Sequence, residues 1–430
     1  KVPEGSRAVA GIGCHFMAIW MDRNTDTFTQ MGGEGASWIG QAPFTETEHI
    51  FQNLGDGTYY HSGLLAIRAT LTAKVNITYK ILYNDAVAMT GGQKVEGPLT
   101  VDMIVKQLHS EGVGRIAVVT DEPKKYPNDF PLLPGVSIHH RDEMDALQLE
   151  FRVISGTSVI IYDQTCAAEK RRRRKKKLLA DPPMRLFINE EVCEGCGDCS
   201  VQSNCLSVVP KDTELGRKRE IDQDACNKDF SCLQGFCPSF VSVTGGELRK
   251  KEAVLDTAFF GELPDPVVND LKRPWNILVT GIGGTGVVTV GSVIAMAAFI
   301  EGKGCTNLNQ TGLAQKFGAV SGHVRIAQKQ EHIHAARISA GDADLLLGCD
   351  LVVSASEEAL AKLHLGRSHI VINEHEAPTS EFISNRDLEF PTKEIKNSIL
   401  AEVDRDRAHF INVTDLATSL MGDSIMSNMF

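Results

Sequence analysis

At 430 residues, with 42% hydrophobic and 23% charged residues, the chain is long enough for two to four domains with hydrophobic cores. Its formal charge of -11 excludes a general nucleic-acid partner, because phosphate binding needs a surplus of Lys and Arg on the contacting face. No charged-then-apolar leader precedes the first domain, so a cytoplasmic protein is expected.

Residues 1–168 alternate strand-like and helix-like stretches. "HIFQNL" (His49–Leu54), "NITYKILY" (Asn76–Tyr83), "RIAVVT" (Arg115–Thr120) and "TSVIIYD" (Thr157–Asp163) are β-rich. "SGLLAIRATLTAK" and "RDEMDALQLEFRVI" between them read as helices, and such alternation predicts a parallel sheet covered by helices. Within this domain Gly55-Asp56-Gly57 is followed, after 26 residues, by Asn84-Asp85. A carboxylate at one strand end and an amide at the next can meet across a helix crossover, and such hard oxygen ligands suit Mg²⁺ bound to phosphate oxygens. A turn-capping Asp56 and a loop-starting Asn84 are the plain alternative.

A basic stretch follows at 169–183, with seven consecutive cations from Arg171 to Lys177. Like charges at this density stay solvated, so an exposed linker or helix end is expected; a docking patch for an acidic electron carrier is the sharper reading.

Seven of the eleven cysteines fall between Cys193 and Cys237, in a module at 184–247. Cys14, Cys166, Cys305 and Cys349 are scattered, as reduced thiols would be. Cys193, Cys196 and Cys199 have the C-x2-C-x2-C spacing that wraps three corners of a cubane iron–sulfur cluster, and Cys237-Pro238 supplies the fourth corner by the crossing rule of two-cluster ferredoxins. The same rule gives a second cluster to Cys205, Cys226 and Cys232, with Asp229 where a cysteine would stand. Asp229 then either completes a four-iron cluster as an oxygen ligand or leaves a three-iron cluster. Zinc would need only four thiolates, fewer than are present.

A connector at 248–274 leads to a third domain at 275–430. The uncharged Ile277–Ile300 is long enough to cross a bilayer, but four glycines between Gly281 and Gly286 favour a buried strand, a glycine turn and a helix. Gly281, Gly283 and Gly286 fit G-x-G-x-x-G, and Glu301 follows 20 residues after Gly281, so a dinucleotide site is one reading and a structural turn another. The stretch Gln310–Phe317, with Lys316, is a candidate ligand face or a solvated helix. No internal repeat is evident, and the two chain ends read as cut sites.

The Asp56/Asn84 pattern resembles that of thiamine diphosphate enzymes, which implies Asp56, Asn84 and the Ala86 carbonyl as Mg²⁺ ligands. With the cysteine module and the glycine-loop domain in the same order, the chain resembles the fused indolepyruvate:ferredoxin oxidoreductases among the 2-oxoacid:ferredoxin oxidoreductases. "GIGCH" (Gly11–His15), "MGGEGASWIGQAPF" (Met31–Phe44), "GDGTYYHSG", "CEGCGDCSVQSNC", "GIGGTGVVTVGSV" and "NQTGLAQKFGAVSGHVRIA" carry the resemblance over nearly the whole chain. It implies an α/β thiamine domain, a ferredoxin-like module, and a Rossmann-like domain of the family's gamma type, truncated here.

The implied reaction is oxidative decarboxylation of an aryl 2-oxo acid to an aryl-acetyl-coenzyme A, with electrons passed through two iron–sulfur clusters to ferredoxin. The resemblance further implies that Cys14 and His15 approach the diphosphate. Gly33, Glu34 and Gly35 form a cofactor-facing loop, and His61 is a candidate facing the reacting centre. A pyrimidine-binding domain would lie upstream, leaving this chain alone inactive; a homo-oligomer is expected, and no membrane partner. The rival readings are an NAD- or flavin-linked iron–sulfur reductase and a non-catalytic electron-transfer subunit.

Overall fold

The computed structural model describes residues 2–21, 23–87, 92, 97, 99–127, 130, 132–203, 205–246, 270–311, 318–377, 379, 381–385 and 387–430. Lys316, with most of the Gln310–Phe317 stretch, and most of the 248–274 connector lie outside the described residues. The chain forms two compact units, Lys1–Leu179 and Ala180–Phe430.

The first unit is a seven-stranded sheet in which every pairing is parallel. Its strands are β1 (Arg7–Ala10), β2 (Thr25–Phe28), β3 (Ile50–Gly55), β4 (Ile77–Tyr83), β5 (Ile116–Thr120), β6 (Val136–His140) and β7 (Thr157–Asp163), in the order β2-β1-β3-β4-β7-β5-β6. A parallel sheet needs helical crossovers that cover both faces, which is why β5 is apolar at four of its five positions and buried at all of them. On one face Leu54, Ile67, Ile81, Ile104 and Leu108 form the main core. The other face rests on Leu147 and Phe151 of the Met144–Phe151 helix.

Chain direction reverses between β1 and β3. From β1 the chain goes outward to β2, then returns to place β3 on the other side. The crevice at the carboxyl ends of β1 and β3 is thus a topological switch point, where open parallel sheets bind ligands. Gly11–His15 leaves one wall and Gly55-Asp56-Gly57 the other.

The second unit begins with two antiparallel pairs. β8 (Met184–Ile188) pairs with β11 (Phe240–Thr244), and β9 (Val208–Thr213) pairs with β10 (Gly216–Ile221). Then follows a six-stranded mixed sheet, ordered β13-β14-β12-β15-β16-β17. Its strands are β12 (Trp275–Ile282), β13 (Gly304–Gln310), β14 (Ala319–Ala327), β15 (Leu345–Gly348), β16 (His369–Asn373) and β17 (Ala408–Ile411). The uncharged segment divides into β12, a glycine turn and the 14-residue Val287–Ile300 helix. Among the described residues no helix is long and apolar enough to cross a membrane.

Two details of the sequence reading are refined by the structure. The basic run forms the carboxyl-terminal end of the Ala167–Lys175 helix, the helix-end alternative of the sequence reading. In a Rossmann fingerprint the acidic residue stands beside the glycine turn, whereas Glu301 caps the far end of the Val287–Ile300 helix, about 20 Å away at 1.5 Å per residue.

Candidate functional site

β3 and β4 are neighbours, with Gly55 opposite Leu82, so Asp56 and Asn84 leave adjacent strands at the same edge. Asp56 is 3% exposed. Its Oδ1 accepts from the Gly57 amide at 2.8 Å, and its Oδ2 accepts from the amides of Asn84 and Asp85 at 2.9 and 3.2 Å. Burial pushes its carboxyl above the usual range, against the pull of those three donors. Asn84 Oδ1 accepts from the Ala86 amide at 3.1 Å, which folds 84–86 into a tight turn with Asp85 left-handed at φ 59°.

This turn fits a divalent ion. Among the described residues no cationic side chain pairs with Asp56, so its buried charge is balanced by dipoles alone. A hard cation held by Asp56, Asn84 and the Ala86 carbonyl would supply the missing counter-charge.

The other sequence candidates distribute around the same sheet. Glu34 is fully buried; its Oε2 accepts from the Gly32 amide at 2.6 Å, while Oε1 is buried without a hydrogen-bond partner. Burial raises its carboxyl as well. Glu34 does not cap the Ala36–Gln41 helix, whose N-cap is Gly35. Gly35 has φ +86°, and a Cβ there would come within 2.1 Å of the Tyr79 hydroxyl, so only glycine fits. Tyr79 donates in turn to the Glu34 carbonyl at 3.0 Å. Gly33 donates its amide to the Gln30 carbonyl at 3.0 Å.

His15 accepts from the Gly11 amide through Nε2 at 3.2 Å, and burial together with the Lys80 ammonium lowers its pKa to about 4. Cys14 begins the short Cys14–Trp20 helical turn beside it. His61 is exposed and bonds Ser62 Oγ at 2.9 Å, on a π-helical turn, Tyr59–Gly63, that precedes the Leu64–Ala73 helix.

Sequence reasoning missed two polar groups inside this unit. His49 Nε2 lies 2.8 Å from Thr78 Oγ1, which lies 2.8 Å from Ser158 Oγ, a buried chain across three strands. Lys80, 7% exposed, donates to Gln148 Oε1 at 3.0 Å and stands 5.1 Å from the Phe51 ring centroid; burial lowers its pKa to about 8. The strands here are buried almost continuously because both faces are covered, so a polar residue in or beside such a run is the available signal.

In the second unit the structure reveals a repeat that the sequence reading did not see. The Cys193 amide donates to the Asn189 carbonyl at 2.9 Å, and the Cys226 amide donates to the Asp222 carbonyl at 3.1 Å. The Gly195 amide then donates to Cys193 Sγ, and the Lys228 amide to Cys226 Sγ, both at 3.4 Å. Left-handed residues follow at matching places: Gly195 and Gly197 (φ 71° and 80°), Lys228 and Phe230 (φ 53° and 58°). The offset is 33 residues throughout, and it superposes Asp229 on Cys196 and Cys232 on Cys199.

Asp229 Oδ1 accepts from the Ser231 amide and hydroxyl at 3.2 and 3.0 Å, and its carboxylate is exposed. Cys205, Cys226, Cys232 and Asp229 act on one another electrostatically, which adds to burial in raising the Cys232 thiol to about 11. All seven cysteines are free of disulfides. Among the described residues no three His, Cys, Asp or Glu groups converge tightly enough for a single metal ion. The corners of a cubane stand farther apart than such ligands do. Cys193 is buried, Cys196 and Cys237 are exposed, and one backbone amide donates to the sulfur of each loop's first cysteine.

In the last domain Gly281 is the penultimate residue of β12, and Gly283 donates its amide to the Gly318 carbonyl at 2.8 Å. Gly286 (φ +97°) is the helix N-cap, and the Asn428 side chain lies over it; a Cβ there would come within 2.1 Å of Asn428 Nδ2. The helix end where a pyrophosphate would rest is therefore covered by the chain itself, and Glu301 stands at the other end.

Residues 276–430 match the family described as pyruvate ferredoxin/flavodoxin oxidoreductase. The indolepyruvate oxidoreductase subunit IorA of Thermococcus kodakarensis is 26% identical over 253 residues, covering 54% of this chain and 36% of that one. The subunit IorB of Archaeoglobus fulgidus is 36% identical over 75 residues, covering 17% and 35%. The chain thus spans only about a third of the length of each of these relatives. Among solved structures, a 2-oxoglutarate:ferredoxin oxidoreductase from Magnetococcus marinus aligns at 20% identity and a TM-score of 0.28, over 37% of this chain and 23% of that one.

The carboxyl-terminal domain is of the kind found in 2-oxoacid:ferredoxin oxidoreductases. Within that class, the curated relatives that the chain resembles are subunits of indolepyruvate oxidoreductases.

Proposed function

We propose that the chain takes part in the oxidative decarboxylation of an aryl 2-oxo acid of the indolepyruvate or phenylpyruvate class. The Asp56–Asn84 turn would hold Mg²⁺ and thiamine diphosphate, the two cysteine loops would hold iron–sulfur clusters, and ferredoxin would take the electrons. One oxo-acid anion and one coenzyme A thiol give one aryl-acetyl thioester, CO₂, one proton and two electrons, which leave one at a time. When bound, the thiamine group supplies a carbanion that accepts the oxo acid and stabilises the charge left after CO₂ departs.

The chain's own residues do the rest. Asp56, kept ionised by a cation, fixes the diphosphate end at the switch point. The His15 imidazole, neutral near pH 7, accepts the Gly11 amide and holds the β1 turn open beside it. Glu34 offers an unpartnered buried oxygen on the adjoining loop. Cys193, Cys196, Cys199 and Cys237 would hold one cluster, and Cys205, Cys226 and Cys232, with Asp229, the other.

The observation that carries this reading is the buried Asp56 carboxylate, bonded to the backbone of the next strand's end and paired with no described cation. Calorimetric titration of thiamine diphosphate into the full-length protein, with Mg²⁺ and with chelator, tests it. Binding that requires Mg²⁺ and fails in Asp56→Ala is expected. Binding of NADH or a flavin in its place would overturn it and favour the reductase reading, which the covered Gly286 turn already disfavours.

A further inference from the structure

Strand β10 runs beside the first cysteine loop. A Cβ at Gly195 would come within 2.3 Å of the Arg217 carbonyl oxygen, so this left-handed glycine lets the loop press on the strand backbone. The next residue, Lys218, donates through Nζ to the Cys193 carbonyl at 2.6 Å. Arg219 follows, 4% exposed. Burial raises the Cys199 thiol, while Ser200 and the Arg219 charge work against that rise, so the guanidinium is within electrostatic reach of the sulfur.

Arginine keeps its proton in proteins, so Arg219 carries a positive charge into the interior. Among the described residues no carboxylate pairs with it, and its one hydrogen bond runs from Nη1 to the Lys218 carbonyl at 3.3 Å. A buried cation is normally paired, because desolvation is otherwise uncompensated. Two neighbouring cations follow that rule. Arg217 pairs with Asp212 at 3.0 Å, and Lys228, whose amide donates to Cys226 Sγ, pairs with Asp181 at 2.7 Å. A cluster held by four thiolates is a net anion, which is the counter-charge that Arg219 lacks.

We infer that Arg219 is the counter-ion of the first cluster, the one assigned to Cys193, Cys196, Cys199 and Cys237, and that it holds that cluster's reduction potential up. The inference rests on the iron–sulfur reading of the cysteine loops. Reduction adds a negative charge to the cluster, so a fixed buried cation stabilises the reduced form more than the oxidised one. The matching place in the second loop has the opposite surroundings: the groups that act on Cys232 are Cys226, Cys205 and Asp229, all acidic. Loss of the Arg219 charge therefore acts on the first cluster and leaves the second as an internal reference.

The test is a potentiometric titration of the anaerobically reconstituted full-length protein, followed by EPR, beside Arg219→Gln and Arg219→Lys. At a fixed potential the reduced-to-oxidised ratio of the first cluster should fall at least tenfold in Arg219→Gln, about 59 mV for one electron, with the second cluster unmoved. Arg219→Lys, which keeps the charge, should recover most of the shift. An unshifted Arg219→Gln, or an Arg219→Lys shifted as far, would overturn the inference. If Arg219→Gln assembles no first cluster, Arg219→Lys decides: a cluster at the original potential supports the counter-ion, and loss of the cluster in both variants overturns it in favour of a packing role. Iron and sulfide analysis of the unaltered protein keeps the two failures apart, because a chain that takes up zinc, or no iron, strikes the cluster reading itself.

Discussion

The Asp56 carboxylate grips the end of the neighbouring strand, accepting from the Asn84 amide at 2.9 Å and from the Asp85 amide at 3.2 Å. Both oxygens are acceptors, since Gly57 uses the other. An asparagine can present oxygen to only one side. Asp56→Asn should therefore destabilise the first unit by about 1–3 kcal/mol as well as abolish Mg²⁺ affinity. Denaturant unfolding and Mg²⁺ titration of the variant check this; full stability with lost metal would show that the amide contacts contribute nothing.

His49 is buried against Thr78, and burial, with Arg152 nearby, lowers its pKa to about 4. A folded-state value below the unfolded one of about 6.5 means the unfolded chain binds the extra proton in between. Stability is fully present above about pH 6.5 and falls toward pH 4, by about 3 kcal/mol from this one residue. His15 adds in the same direction, so the measurement is the difference between the protein and His49→Gln across that window. Parallel profiles would contradict the assignment.

Lys80 carries the opposite lesson. Its pKa of about 8 lies below the ordinary 10.5, and its hydrogen-bond partner Gln148 is neutral. At neutral pH its buried charge costs about 3 kcal/mol, a penalty that disappears as pH rises from 8 to 10.5. Lys80→Met should raise stability at pH 7 by about 2 kcal/mol, after losing one hydrogen bond, and should flatten the alkaline rise. An equally destabilised variant would mean that the ammonium is needed in place.

Asp229 occupies the place of Cys196 in the repeated loop, with its Oδ1 held by Ser231. Mild oxidation of the reconstituted full-length protein should give a three-iron EPR signal from the second cluster. Asp229→Cys should remove that signal and raise the iron content by one atom per chain. Identical spectra and iron content would place Asp229 outside the cluster.

The parallel sheet and the facing of Asp56 and Asn84 were legible because strand periodicity and a 26-residue crossover constrain both. The 33-residue repeat was not. Its second copy puts Lys228 and Phe230 in the left-handed positions that glycines mark in the first, so the glycine signal is missing although the backbone path is kept. Glu301 misled for a related reason: sequence distance from Gly281 is that of a fingerprint, but the next strand, β13, joins the sheet beyond the antiparallel β14 and not beside β12. The Lys80–Gln148 contact spans 68 residues and two separate elements, which no local pattern encodes.

The most direct test of the central claim is EPR of the anaerobically prepared full-length protein after adding indolepyruvate, coenzyme A, Mg²⁺ and thiamine diphosphate, beside the Asp56→Ala control. The account predicts cluster reduction that requires the oxo acid and vanishes in the control. Clusters that remain oxidised with every aryl oxo acid, yet reduce with NADH, would contradict it.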